Sequence, residues 1–165
     1  MKTDLDQLAA RVHAANAAWW TDLETGEPVE RNRHELLALV ISEVSECLEG
    51  ERKNLMDDKL PHRRMAEVEM ADAYIRLLDY AGGFRIPLRR GGPWRITDNV
   101  GAALFHLIRL ITDQRCTSDC LCYIESYCEK HGYDLEGAIE EKLVFNATRE
   151  DHTIEARKAA NGKKF

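Results

Sequence analysis

Two helix-forming segments, each interrupted by acids three residues apart, constrain this chain more than any other feature. The first, Leu36-Leu37-Ala38-Leu39-Val40-Ile41-Ser42-Glu43-Val44-Ser45-Glu46-Cys47-Leu48-Glu49-Gly50, holds Glu43 and Glu46. The second, from Met65 through Val68, Met70, Tyr74 and Leu77 to Tyr80, holds Glu69 and Asp72. In both, apolar residues recur at three- and four-residue steps and neither Pro nor Gly breaks the core. Residues three apart share a helix face, so each pair aims two carboxylates the same way.

Position on the face matters more than spacing. Glu43 falls between Leu36, Leu39, Val40 and Cys47 and continues the apolar stripe, whereas Glu49 falls on the opposite side, where a solvated acid belongs. An acid on a buried face needs a partner. The second helix is apolar around most of its circumference, and Glu69, Asp72, Arg76 and Asp79 make its narrow polar strip. If that strip faces Glu43 and Glu46 across an antiparallel pair, four carboxylates converge with too few basic side chains to neutralise them. A hard divalent cation resolves that conflict, because Mg²⁺ prefers oxygen ligands and completes its octahedron with water and phosphate oxygens. The plainer alternative is a pair of solvated acidic faces.

These residues carry a resemblance. Glu-x-x-Glu followed after a loop by Glu-x-x-Asp resembles the signature of the all-α nucleoside triphosphate pyrophosphatases, the MazG-like superfamily that includes dCTP pyrophosphatase and phosphoribosyl-ATP pyrophosphohydrolase. Asp57-Asp58-Lys59-Leu60-Pro61 and the run from Glu67 to Asp79 are similar to the family's loop and its Glu-Leu-Ala-Asp-x-x-Ile-Arg helix. Lys142-Leu143-Val144-Phe145-Asn146-Ala147-Thr148-Arg149 resembles its Lys-x-x-x-Asn-x-x-Arg helix. One departure is Ser42, at a position where many members carry an additional acid.

The resemblance implies an all-α fold with a four-helix core of antiparallel helices and added helices. It implies a Mg²⁺-dependent enzyme that splits a (deoxy)nucleoside triphosphate between the α and β phosphates, releasing a nucleoside monophosphate and pyrophosphate. Glu43, Glu46, Glu69 and Asp72 are then the ligands of two or more Mg²⁺ ions, with Mn²⁺ as a substitute, and Glu46 or Glu43 takes the proton of the attacking water. Lys142, Arg149 and Arg76 would meet the phosphates. His13, Asn16, Trp20 and Asn146 would hold the base, an aromatic ring stacking on it and an Asn reading its polar edge. Between Trp19 and Trp20 the sequence does not choose, and both also suit a core anchor. Relatives assemble as dimers or tetramers, so a homodimer or homotetramer is implied.

Composition limits the alternatives. At 165 residues, 44% hydrophobic and 32% charged, the chain reads as one globular domain over 1–150 followed by a basic tail, 151–165. The tail either frays or orders over bound phosphates. A formal net charge of −6 supplies no basic field for a nucleic acid polymer. No apolar run reaches bilayer length and Met1 to Asp6 lack a signal-peptide core, so no membrane partner is expected and the cytoplasm, of a bacterium or of the host cell of a phage, is the expected location. Cys116, Cys120, Cys122 and Cys128 cluster, but not at the spacing of a two-knuckle zinc site, and read as buried helical cysteines.

The remaining helices are expected at Leu5 to Trp20, Asp98 to Thr112, Leu121 to Lys130 and Asp134 to Arg149, with the second acidic helix entered at Pro61 and closed by Gly82-Gly83. Arg85 to Arg95 reads as a solvated connector. A di-iron carboxylate bundle needs Glu-x-x-His on two helices, and the chain has none. No nucleophile elbow or Gly-rich phosphate loop is present. Phosphoribosyl-ATP hydrolysis and a non-catalytic helical assembly protein remain the competing functions.

Overall fold

A computed structural model describes residues 4–113 and 116–163. Seven α-helices follow one another among them: α1 Leu5–Ala15, α2 Arg33–Lys53, α3 Met65–Gly83, α4 Val100–Asp113, α5 Thr117–His131, α6 Leu135–Ala147 and α7 Ile154–Lys158. Short 3₁₀ turns occupy Ala17–Trp20 and Glu150–His152, and no strand is present among the described residues. The all-α expectation therefore holds.

The central element is α3, whose side chains are buried on nearly every face. Against it α2 runs antiparallel: Arg33 reaches Tyr80, Glu43 meets Arg76, and Gly50 lies against Ala66. A side chain at Gly50 would bring its Cβ to 2.8 Å from the Ala66 nitrogen, so the glycine permits this close approach. Around the rest of α3 pack α1, α5 and α6, with α4 against α2 and α5. One continuous core results, joining Val12, Val40, Val44, Met70, Leu78, Leu107, Ile124 and Ile139.

Local chemistry sets the helix ends. Asn32 accepts hydrogen bonds from the His34 and Glu35 amides to start α2, and Asn54 ends it in the left-handed conformation at φ 52°. Between the acidic helices, buried Asp57 accepts from the amides of Lys59 and Leu60 at 3.0 and 2.6 Å. That turn consumes 57–64, so α3 begins at Met65 rather than at Pro61. Arg63 then ties the entry of α3 to α6, pairing with Glu67 at 2.7 Å, Glu141 at 2.8 Å and Asp134 at 3.2 Å.

Four further expectations shift. Helix α1 stops at Ala15 and the chain turns through Ala17–Trp20, which separates Trp19 from Trp20 in direction. Helix α5 begins at Thr117, earlier than Leu121, because Ser118 and Cys120 are buried and extend its inner face. Helix α6 ends at Ala147, where Thr148 turns its hydroxyl back onto the Phe145 carbonyl, so Arg149 leaves the helical face of Lys142 and Asn146. The connector from Arg85 to Arg95 is only partly solvated, since Leu88 is buried and Trp94 packs against the core. Beyond α6 the described part of the tail docks on the body, and Lys164 and Phe165 lie outside the described residues.

Candidate metal centre

Glu43 on α2 and Glu69 and Asp72 on α3 meet in the interior. A carboxylate oxygen from each lies within 4.8 Å of the others. Glu43 and Glu69 are buried and Asp72 is half-buried. The antiparallel pairing of α2 with α3 causes this, because it sets the inward break in the α2 stripe opposite the polar strip of α3.

The cluster is short of positive charge. Arg76 donates from Nε to Glu43 Oε1 at 2.6 Å, and Lys142 Nζ stands 2.7 Å from Asp72 Oδ2. Glu69 has a second carboxylate, Glu43, close beside it. Burial, then Asp72 and Glu43, push the Glu69 carboxyl well above the ordinary carboxylate range. Asp72 is pushed up to about 6, chiefly by burial, with Lys142 pulling the other way. Carboxylates crowded this closely out of water repel one another, and a cation between them would relieve that repulsion.

The donor set is all oxygen, which suits a hard divalent ion and not a soft one. Among the described residues this is the grouping of three His, Cys, Asp or Glu side chains close enough to hold an ion. Glu46 is exposed, one turn along α2, and does not join the three. Its carboxyl is nevertheless raised, by desolvation and then by the charge of Glu43. Cys120, Cys122 and Cys128 are buried and Cys116 half-buried, all as free thiols.

Asp72 also lines a cleft of about 280 Å³. Arg76, Asn16, Trp19, Asn146 and Arg149 line it, with Leu36, Leu39 and Ile75 as the apolar wall. The Asn146 Oδ1 atom is buried without a hydrogen-bond partner, which leaves an unmet acceptor in the cleft wall. Asn16, Asn146, Arg76 and Arg149 thus come together as the sequence suggests, while Lys142 turns instead toward Asp72.

Trp20 and His13 stand behind the cleft. The Trp20 indole Nε1 donates to both oxygens of Asp79 at 3.1 and 3.2 Å, and His13 Nδ1 is 2.8 Å from Asp79 Oδ1. Trp20 also lies so close to Gly83 that a Cβ there would fall 2.2 Å from the ring. Its neighbour Trp19 is the tryptophan that lines the cleft. Arg157 lies over the Trp19 ring at 3.9 Å and donates to the Ala18 carbonyl at 2.6 Å, and His152 meets the ring edge-on.

Lys163, from the basic tail read as able to order over phosphates, also lines the cleft, and sequence reasoning missed Arg31 and His152, which line it too. Arg31 sits in a loop and His152 in the polar tail, where no periodicity marks them.

All the basic groups expected to meet phosphate are engaged with carboxylates: Arg76 with Glu43, Lys142 with Asp72, and Arg149 with Asp151. Comparison of the chain with family models, with curated proteins and with solved structures returns no match. The assignment of the site therefore rests on its geometry and on the motifs of the sequence.

Proposed function

We propose that the chain is a Mg²⁺-dependent nucleotide pyrophosphohydrolase with a MazG-like four-helix core, cleaving (deoxy)nucleoside triphosphates between the α and β phosphates. One observation carries the reading: a buried, under-neutralised set of three carboxylates, Glu43, Glu69 and Asp72, opens through Asp72 into a cleft lined by arginines, asparagines and a tryptophan.

Glu43, Glu69 and Asp72 would hold the divalent ions, with Glu46 reaching the same region from the exposed side. Bound there, such ions supply charge neutralisation for the polyphosphate and a water of lowered pKa. The protein's own groups do the rest. Arg76 and Arg149, which hold Glu43 and Asp151 in the free protein, would turn their guanidinium groups to phosphate oxygens from the cleft wall. Glu46, its carboxyl raised from the ordinary value by desolvation and then by Glu43 and its side chain exposed, would accept the proton of the attacking water. Trp19 offers a ring for base stacking, and Asn16 and Asn146 offer polar edges.

The family resemblance is the ground for a homodimer or homotetramer. Among the described residues no helix is long and apolar enough to cross a membrane.

The test is turnover of a panel of NTPs and dNTPs with Mg²⁺, scored for pyrophosphate against orthophosphate. Glu43→Gln and Asp72→Asn are each expected to lower kcat by at least about a hundredfold. Near-normal turnover in either variant, or orthophosphate as the sole inorganic product, removes the assignment.

A further inference from the structure

The segment after α6 carries a carboxylate where the proposed reaction needs a phosphate. Arg149 donates from Nε to Asp151 Oδ1 at 2.8 Å and from Nη2 to Asp151 Oδ2 at 2.7 Å. Lys163 Nζ stands 2.8 Å from the same Oδ2. This two-pronged grip, with an ammonium added, is the geometry in which a guanidinium holds a phosphate oxygen pair.

Arg149 and Lys163 line the same cleft as Asp72. A polyphosphate anchored at the carboxylate cluster and running along the cleft meets the two cations that Asp151 now occupies. The Asp151 side chain is itself 47% exposed, so it can be released into water at little cost. Only one residue separates Arg149 from Asp151, so the exchange requires a local change of the Glu150–His152 turn, whose His152 meets the Trp19 ring edge-on, while Arg157 holds that ring from outside the turn.

We propose that Asp151 is an internal stand-in for the substrate's phosphate: it occupies Arg149 and Lys163 in the free protein, yields them to a polyphosphate, and reclaims them as pyrophosphate departs. The inference rests on the reading of the cleft as a nucleotide site. A carboxylate brings a single negative charge, so it loses to a triphosphate and competes better against a monophosphate. Asp151 thereby sets the threshold of charge that a ligand must carry, and it assists the release of the anionic product.

The test uses the full chain and its best nucleotide from the panel, with Mg²⁺-pyrophosphate as the inhibitor. In Asp151→Asn the carboxylate is neutralised at constant shape. KM and the inhibition constant of pyrophosphate should then fall together by about fivefold, the scale of a partly exposed ion pair. Asp151→Glu should restore wild-type values, because it restores the charge. Tryptophan emission should stay unchanged in Asp151→Asn, since Arg157 still covers Trp19.

Active wild-type protein with both constants unmoved in Asp151→Asn overturns the stand-in role alone. A shifted Trp19 emission in that variant also overturns it, by making Asp151 a support of the docked segment. If the wild-type protein neither hydrolyses any nucleotide nor binds Mg²⁺-pyrophosphate, the nucleotide reading itself has failed.

Discussion

The guanidinium carbon of Arg157 lies 3.9 Å from the centroid of the Trp19 ring, although nearly the whole helical body separates the two residues in sequence. Arg157 is only 2% exposed, and its Nη1 donates to the Ala18 carbonyl at 2.6 Å. A short, polar C-terminal segment is thereby clamped over the tryptophan that lines the cleft. Arg157→Ala removes a desolvated cation–π contact of about 2 kcal/mol together with a charge-assisted hydrogen bond. The segment should detach while the body stays folded, seen as altered Trp19 emission and rapid proteolysis after residue 149 with little loss of helical circular dichroism. A fully protected C-terminal segment in that variant would contradict the clamp.

Acid should loosen the same clamp. Burial, then the positive charges of Arg149 and Lys163, hold His152 down to about 4, with Asp151 opposing and Arg76 adding a small further push. The free segment binds a proton near the ordinary pKa of 6.5, so between 6.5 and about 4 the detached form takes up more protons than the docked one. Docking is thus fully supported above pH 6.5 and is lost as pH falls through about 4. Tryptophan emission titrated from pH 7.5 to 4 should follow that course, and His152→Gln should flatten it. A transition on the alkaline side instead would refute the assigned sign.

The two adjacent tryptophans should part company in mutagenesis. Trp20 donates to Asp79, lies against Gly83 and meets Phe84 edge-on, so Trp20→Phe leaves Asp79 short of a donor and should cost about 2 kcal/mol of stability. Trp19→Leu should cost less stability but raise the nucleotide KM, because a stacking surface is lost. Thermal melts beside steady-state kinetics separate the pair. The opposite pattern, with stability lost at Trp19 and KM at Trp20, would exchange their roles.

Lys142 is 3% exposed and is the nearest compensating charge for Asp72. Replacing it with Met keeps the volume and removes the charge, and in metal-free protein the loss should be about 3 kcal/mol. Mg²⁺ should recover much of that loss, since it meets the same unpaired acids. Melts of Lys142→Met in EDTA and in Mg²⁺ test this. An equal deficit in both buffers would place the importance of Lys142 in packing alone.

Gly83→Ala offers a check on the anchor itself. The new methyl would fall 2.2 Å from the Trp20 ring, a distance that real contacts do not reach. The ring must move, and a destabilisation of about 2 kcal/mol is expected by chemical denaturation. A wild-type midpoint would mean that Trp20 does not lie on Gly83.

By itself the sequence determined the helices and the inward direction of Glu43. The three- and four-residue apolar steps of α2 give that helix one azimuth that hides its stripe, and Glu43 interrupts that stripe, so its burial follows from local periodicity. What lies beyond one helix was legible only as motif. That Glu43, Glu69 and Asp72 converge while Glu46 stays exposed, that Lys142 turns to Asp72, and that Trp19 rather than Trp20 lines the cleft were all decided by tertiary structure. The reason is physical: periodicity records which face of a helix is covered, but the identity of the covering group depends on how elements far apart in the chain pack, and on which charge pairs that packing brings together.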